Sequence, residues 1–179
     1  ALGRGNNASG AYSSALGTSN YASGRASTAL GYSSRASSTA ALAVGQSISL
    51  TTTRDRRGGT LFNLAGIIVS ATGTVTPATL TTSSIVSIDG NTNVTEQEKQ
   101  KIVDQIQYLG SVAGNNALNS ADGFASTSVG TNNHALGTAS SAVGFNNTAS
   151  EKNSSVFGSN SDATAEGATA LGYNSLANE

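Results

Sequence analysis

The stretch that decides the fold is residues 1–45, which read ALGRGNNASGAYSSALGTSNYASGRASTALGYSSRASSTAALAVG. Alanine occupies every seventh position of this stretch: Ala1, Ala8, Ala15, Ala22, Ala29, Ala36 and Ala43. Glycine follows most of these alanines by two residues, and the residue between them alternates between Leu or Val and Ser. The true period is therefore 14 residues, and self-similarity at a fixed period indicates a solenoid.

A seven-residue period also raises the possibility of a coiled coil, and the composition argues against one. A coiled coil needs apolar residues at two positions of each heptad. Here one regular position is always Ala, and the next is Ser in every second heptad. Glycine inside a helix costs about 1 kcal/mol relative to alanine, and nearly every heptad carries one. The pattern favours a 14-residue coil made of two strands.

Because neighbouring residues of a strand point to opposite faces, the alanine and the residue after it must face opposite ways. We expect the invariant alanine to fill the inside of a narrow coil where nothing larger fits. The next residue then points outward, so that one outer face is apolar and the opposite face is polar. We expect the glycine that follows to supply the turn.

The pattern divides the chain into three segments: repeats in 1–45, an insert in 46–120 and further repeats in 121–179. The second block starts in a new phase, which predicts that the insert interrupts one continuous solenoid. The insert is rich in Thr, Val and Ile, and we predict strands at about 47–53, 60–70, 73–76 and 83–88. A capping box of Thr95 and Glu98, followed by apolar residues at helical spacing, predicts a helix over about 95–109 that ends at Gly110. The fold predicted from the residues is an all-β roll with a small α+β insert.

The outward apolar position is filled in every coil, by Leu2, Leu16, Leu30, Val44, Val129, Val143, Phe157 and Leu171. A monomer with such a stripe in water is prone to aggregate. Burial of each large side chain contributes roughly 1.5–3 kcal/mol. We therefore expect these eight residues to pack against sister chains about a common axis, in a closed symmetric assembly.

The repeats Ser14–Ser19, Thr28–Ser33, Ser141–Asn146 and Thr169–Asn174 resemble the head repeats of trimeric autotransporter adhesins, the YadA-like heads. The resemblance covers about 1–45 and 121–179. It implies a left-handed parallel β-roll, a homotrimer, and display on the bacterial surface through a C-terminal outer-membrane anchor that these residues do not include. It also implies adhesion to host matrix proteins or cell-surface receptors, and a part in virulence.

Composition excludes several other classes of function. The formal net charge is −1, which gives no electrostatic basis for nucleic-acid binding. Cysteine is absent and His134 is the only histidine, so we expect no cofactor, no metal site and no enzymatic activity. His134 follows two asparagines, and we interpret it as a solvated turn residue. No apolar run is long enough to insert into a membrane as a helix.

The densest charge cluster is Arg54, Asp55, Arg56 and Arg57. The three arginines are a candidate contact patch, and the alternatives are a solvated turn or an ion pair between chains. For the whole chain the main alternative to an adhesin is a structural trimeric fibre or stalk segment with no ligand of its own. A carbohydrate-active solenoid would need clustered acidic residues, and an ice-binding solenoid would need ranks of Thr, and the sequence has neither.

Overall fold

The computed structural model of the chain describes residues 1–112 and 116–179. Two compact units make up the chain. The roll unit comprises Ala1–Ser47 and Ala117–Glu179, and the insert unit comprises Ile48–Asn116.

The roll unit is built from two parallel sheets, which confirms the predicted all-β roll with two strands in each coil. The long sheet has eight strands: Leu2–Arg4, Ser14–Thr18, Thr28–Tyr32, Leu42–Gln46, Thr127–Thr131, Ser141–Phe145, Ser155–Ser159 and Thr169–Tyr173. The short sheet has eight two-residue strands: Asn7–Ala8, Tyr21–Ala22, Arg35–Ala36, Ser120–Ala121, His134–Ala135, Thr148–Ala149, Asp162–Ala163 and Leu176–Ala177. Successive coils stack in register at intervals of 14 residues.

The interior of the roll is filled by the alanines of the seven-residue series, as the pattern predicted. Ala15, Ala29 and Ala142 of the long sheet have no exposed surface, and neither do Ala22 and Ala135 of the short sheet. A pleated strand turns alternate residues inward, so these small side chains meet inside the coil.

The expectation that only alanine fits at the inward position of the strands is wrong at two coils. Val156 stands in the alanine series between Ala142 and Ala170 in the strand register, and it is fully buried. Ser128 also lies inside, and its hydroxyl donates to Asn119 Oδ1 at 2.8 Å. The interior therefore accepts a larger or a polar side chain where its neighbours leave room.

The turns are not where the glycine pattern placed them in the long sheet. Gly144 lies inside the strand Ser141–Phe145, with a φ of +122°, and a Cβ there would stand 1.9 Å from the carbonyl oxygen of Gly158. The chain turns two residues later, at corner residues with positive φ: Ser19, Ser33, Asn132, Asn146, Asn160 and Asn174. Asn tolerates this left-handed conformation better than most residues do. The glycines of the long sheet thus permit close stacking of coils.

A ladder of polar side chains, buried except at the two end coils, runs through the roll, and the sequence pattern was not recognised as predicting it. Its members follow the long-strand alanines by five residues in uninterrupted coils: Asn6, Asn20, Ser34, Asn119, Asn133, Asn147, Ser161 and Ser175. Asn147 donates from Nδ2 to Asn133 Oδ1 at 3.0 Å, to Val143 O at 3.0 Å and to Gly158 O at 2.8 Å. Each asparagine thus joins its own coil to the neighbouring ones. The sequence did carry a signal for this ladder, because Asn or Ser recurs every 14 residues at a fixed distance after the inward residue of each long strand.

The two repeat blocks form one continuous roll, as the change of phase predicted. The strand Leu42–Gln46 pairs in parallel with Thr127–Thr131, and Arg35–Ala36 pairs with Ser120–Ala121. Asn119 occupies the next place in the polar ladder, and its backbone N–H donates to Ser47 Oγ at 2.7 Å. The chain leaves the roll at Ser47 and rejoins the ladder at Asn119.

The insert unit contains a five-stranded sheet, in which the four strands between residues 48 and 88 pair antiparallel, and the part of it that the structure describes has one α-helix. Along the sheet the strand order is Ile85–Ile88, Ile67–Ala71, Thr60–Leu64, Ile48–Arg54 and Asn116–Ala117. The helix spans Glu96–Val112, and two 3₁₀ turns span Pro77–Thr79 and Thr82–Ser84. Leu50, Phe62, Val69, Leu80 and Ile106 are the largest fully buried side chains of this unit.

Three details of the insert differ from the sequence prediction. The predicted strand 60–70 is a hairpin, because Ala65 and Gly66 both take positive φ and form a two-residue turn. Residues 73–76 form no strand. Gly110 does not end the helix; it lies within it, where a Cβ would stand 2.6 Å from the Cβ of Pro77. That glycine allows the first 3₁₀ turn to pack closely on the helix.

Candidate functional site

The eight residues predicted to pack about a common axis form one column on the outer face of the long sheet. Each is the strand partner of the next, in the order Leu2, Leu16, Leu30, Val44, Val129, Val143, Phe157 and Leu171. We call this set the outer apolar column. Leu16, Leu30 and Phe157 are 36–42% exposed in the single chain, and the three valines are half-buried.

The outward position of the column follows from its neighbours in sequence. Ala15 and Ala29 point inward with no exposed surface, so Leu16 and Leu30 point outward from the same strands. Because the strand register is continuous across the coils, the side chains form a line rather than scattered apolar spots. Contact of this line with other copies of the chain remains a prediction.

The short sheet presents a mostly polar outer face, with a charged cluster near the middle of the roll. Arg35 Nε lies 3.3 Å from Asp122 Oδ1, and the Ser37 hydroxyl donates a hydrogen bond to the same oxygen. One coil away from Asp122 stands His134, whose Nδ1 lies 3.1 Å from Ser120 Oγ. These contacts tie side chains across the point where the sequence is interrupted.

The interpretation of His134 as a solvated turn residue is wrong. His134 begins a strand of the short sheet and is half-buried. Burial lowers the pKa of its imidazole, and the nearby Asp122 carboxylate opposes this shift. Ser120 is only 2% exposed, so its hydroxyl is covered rather than presented to a substrate. The cluster is therefore a structural contact between coils.

The three arginines of the candidate patch lie at the tip of a hairpin in the insert unit. Arg54 ends one strand, Arg56 and Arg57 lie in the turn that follows, and the next strand begins at Thr60. All three arginines are exposed. We call Arg54, Arg56 and Arg57 the arginine tip.

Asp55 organises the backbone beneath the arginine tip. Its Oδ1 accepts hydrogen bonds from the N–H groups of Arg57 at 2.8 Å and Gly59 at 2.7 Å. The backbone N–H of Asp55 in turn donates to Gly59 O at 3.0 Å. An aspartate that bonds to the backbone two residues ahead fixes a turn, and here it presents the arginines outward.

Within residues 1–112 and 116–179, no group of three or more His, Asp and Glu side chains is placed to hold a metal ion. In the same part of the chain, the one helix is too short and too polar to cross a membrane.

A family model described as the YadA head domain repeat matches this chain in two copies, over residues 1–20, 22–47, 121–147 and 149–175. The matched ranges make up more than half of the 179 residues and leave residues 48–120 outside the match. A search of curated proteins and a search of solved structures each found no significant match.

Proposed function

The chain belongs to the family of YadA head domain repeats, which are adhesin domains, and we propose that it attaches bacteria to host extracellular matrix proteins or host cells as a trimeric head. The observation that carries this proposal is the outer apolar column, which gives every coil one large apolar side chain on the same face. A continuous line of this kind suits lengthwise association of identical chains better than binding of a small ligand.

The assembly that we propose is a homotrimer with the outer apolar columns packed about its axis. Eight side chains per chain would lose their remaining exposure, and each would contribute the corresponding fraction of the roughly 1.5–3 kcal/mol that burial of a fully exposed side chain gives. A closed ring of chains covers the columns without open-ended growth. Adhesion would then use the other outer surfaces of the rolls and the insert units, where three copies strengthen weak contacts.

Family members are exposed at the bacterial surface. We propose the same location here, with a C-terminal outer-membrane anchor outside residues 1–179 and a role in virulence.

The test combines the mass of the purified chain in solution, measured by light scattering, with solid-phase binding to immobilised matrix proteins and to epithelial cells. We expect a mass of three chains and saturable binding. The informative variant is Leu30→Glu, which places a charge in the outer apolar column. The matched control is Leu136→Glu, because Leu136 is similarly exposed, at 45%, and directly follows the short-sheet strand His134–Ala135 instead.

We expect Leu30→Glu to lower the mass to that of one chain and to weaken binding by about 10²-fold or more as avidity is lost. Leu136→Glu should remain trimeric. A monomeric wild-type chain would contradict the assembly. A trimer that binds neither matrix proteins nor cells would contradict the adhesin proposal and favour the structural fibre segment.

A further inference from the structure

The arginine tip concentrates positive charge on a unit that is otherwise balanced. Residues 48–116 contain five basic and five acidic side chains, and three of the basic ones are Arg54, Arg56 and Arg57. The only acidic residue among them is Asp55, whose Oδ1 accepts two backbone N–H bonds. The tip therefore carries a local excess of positive charge that the net charge of the chain hides.

The guanidinium groups of the tip have no ion-pair partner within the residues that the structure describes. The three ion pairs found there join Arg35 to Asp122, Lys99 to Glu96, and Lys152 to Glu166. Asp89 belongs to the turn at the opposite end of the neighbouring strands, where its Oδ1 accepts from the N–H of Ile68. The arginines are thus available to an external anion.

The turn that carries the arginines has a defined shape. Gly59 is buried, and a Cβ there would stand 2.8 Å from both the Ala71 carbonyl oxygen and Asp55 Oδ2. Close contact between the turn and the neighbouring strand holds the backbone in place. A fixed turn loses less conformational entropy on binding than a flexible one does.

Beside the tip lies an open cavity of about 330 Å³, lined by Arg57, Asp55, Ser70, Thr72 and Val86 among others. Its volume is in the range of sites that hold small ligands. Arg57 and the hydroxyl-bearing residues suit the sulfate and hydroxyl groups of a sugar, whereas the Asp55 carboxylate disfavours an anion deep in the cavity. A ligand would therefore place its sulfates at the arginines on the rim.

The surroundings of the tip discriminate among polyanions. Nucleic acids without a defined duplex bind through aromatic side chains that stack on bases, and the only aromatic residues of this unit are the buried Phe62 and the helical Tyr108. Binding to a membrane surface is strengthened by apolar side chains that insert beside the basic ones, and the tip is flanked instead by Thr51–Thr53 and Gly58–Gly59. Neither feature is needed for a sulfated sugar chain.

We propose that the arginine tip is a binding site for a sulfated linear polysaccharide, an inference that rests on the proposed adhesin function and names one of its ligands. Each planar guanidinium can donate two parallel hydrogen bonds to a tetrahedral oxyanion. Three arginines within four residues can engage successive sulfates of one chain. In a trimer the tip occurs three times, which strengthens binding to a long polymer.

The experiment measures binding of the 179-residue chain to immobilised heparin, by surface plasmon resonance in 0.15 M salt. We compare the wild type with Arg54→Gln/Arg56→Gln/Arg57→Gln and with a control of equal charge change on the roll, Arg4→Gln/Arg25→Gln/Arg35→Gln. A third variant replaces the three tip arginines with lysine. Thermal unfolding shows that each variant is folded.

We expect the tip-to-glutamine variant to weaken heparin binding at least tenfold and the roll control to stay within about twofold. The lysine variant should fall between them, because it keeps the charge and loses the planar fork. Binding should also fall steeply at 0.5 M salt, since exposed charges are screened. Desulfated heparin should not bind.

Absence of heparin binding by the wild type, or equal binding by the tip-to-glutamine variant, would overturn the proposal. Tighter, tip-dependent binding to single-stranded DNA or to vesicles containing phosphatidylserine would overturn the choice of a polysaccharide. Matrix and cell binding by the same variants separates the two proposals. If the wild type attaches to matrix proteins or cells without binding heparin, the adhesin function stands and this inference fails.

Discussion

At the level of single residues, the asparagines inside the roll stabilise the stack of coils. Asn133 Nδ2 donates to Val129 O at 3.1 Å and to Gly144 O at 2.8 Å, and its Oδ1 accepts from the N–H of Asn147 at 3.2 Å. Asn133 has no exposed surface, so water cannot replace these bonds. A buried polar group that loses its partner costs about 1–3 kcal/mol.

We therefore predict that Asn133→Ala lowers the free energy of unfolding by at least about 2 kcal/mol, since it leaves several buried groups unpaired. Asn133→Ser is the matched control. Ser161 holds the same ladder position, where its hydroxyl donates to Gly172 O at 3.2 Å and accepts from the N–H of Ser175 at 3.0 Å. Urea unfolding should show a smaller loss of unfolding free energy for Asn133→Ser than for Asn133→Ala. Equal losses would contradict the proposal that the ladder hydrogen bonds stabilise the roll.

We expect His134 to make the stability of the roll depend on pH. Burial holds the pKa of its imidazole below the ordinary value of about 6.5, so between the two values the unfolded chain binds more protons than the folded one. Stability due to this residue should therefore fall as the pH drops below about 6.5, and level off below the folded pKa.

Thr148 stands at the position of His134 one coil further along, so His134→Thr is a natural replacement. We predict that the loss of stability between pH 7.5 and 5 is smaller in this variant than in the wild type. Urea unfolding of both proteins at the two pH values measures the stability that each loses. Subtracting one loss from the other cancels the contribution of the other titratable groups, which both proteins share. If both proteins lost the same stability between pH 7.5 and 5, His134 would not contribute to the pH dependence.

At the level of elements, the sequence predicted the long strands well because alanine and the apolar residue alternate with the pleat. The sequence prediction assigned the glycines of these strands to turns, which was wrong. A repeated glycine shows that a small residue is needed at that position, but not whether the reason is a turn or close stacking of coils. Gly167, which falls outside the glycine series, holds the positive-φ corner that Ala125, Ala139 and Asn153 hold in earlier coils. Because this corner holds different residue types in different coils, a search for a repeated residue does not find it.

The stacking role of the long-strand glycines can be separated from their backbone conformation. Gly144 and Gly172 have similar φ, +122° and +116°, but a Cβ at Gly172 would have Ser175 Oγ as its nearest neighbour, at 3.3 Å. We predict that Gly172→Ala costs about 1–3 kcal/mol from strain alone. Gly144→Ala should cost clearly more, because its Cβ overlaps the Gly158 carbonyl. Circular-dichroism melting tests this, and equal melting temperatures would contradict the stacking role.

The helix of the insert begins as its capping box predicted. Glu98 N–H donates to Thr95 Oγ1 at 3.2 Å, and Thr95 N–H donates to Glu98 Oε2 at 2.9 Å, a bond that lowers the pKa of the Glu98 carboxyl. We predict that Thr95→Ala lowers stability by about 1 kcal/mol, whereas Thr92→Ala, an exposed change three residues earlier, has little effect. Chemical denaturation followed by helical ellipticity measures both, and similar effects would show that the cap is unimportant.

The end of the helix and the hairpin at Ala65–Gly66 were not predictable from local sequence. Gly110 resembles a helix terminator, but the Pro77 ring packs where its side chain would be, a contact between segments far apart in sequence. The run Thr60–Ser70 is largely apolar, so its sequence predicts one continuous strand and gives no polar break where the turn occurs. The arginine tip was recognisable as a charge cluster, whereas the backbone bonds of Asp55 that fix its shape required the structure.

At the level of the whole molecule, the roll is a linear stack in which each coil contacts mainly its neighbours, so a segment can be inserted at one corner without breaking the stack. The insertion point is a corner between a long and a short strand. Other coils carry a corner residue followed directly by a ladder residue there, as in Ser33–Ser34 and Asn132–Asn133. Ser47 and Asn119 are the corresponding pair, separated by residues 48–118.

This correspondence predicts the boundaries at which the insert can be removed. Deletion of 48–118 joins Ser47 directly to Asn119 and restores the spacing of the other coils, so we expect a folded roll with a β-type circular-dichroism spectrum and cooperative melting. Deletion of 48–117 or of 48–119 shifts the register by one residue and places Leu118 or Ser120 in the ladder position. Because a shift of one residue turns every side chain of a strand to the opposite face, both should melt at clearly lower temperature. Equal stability of the three deletions would show that the ladder does not set the register of the roll.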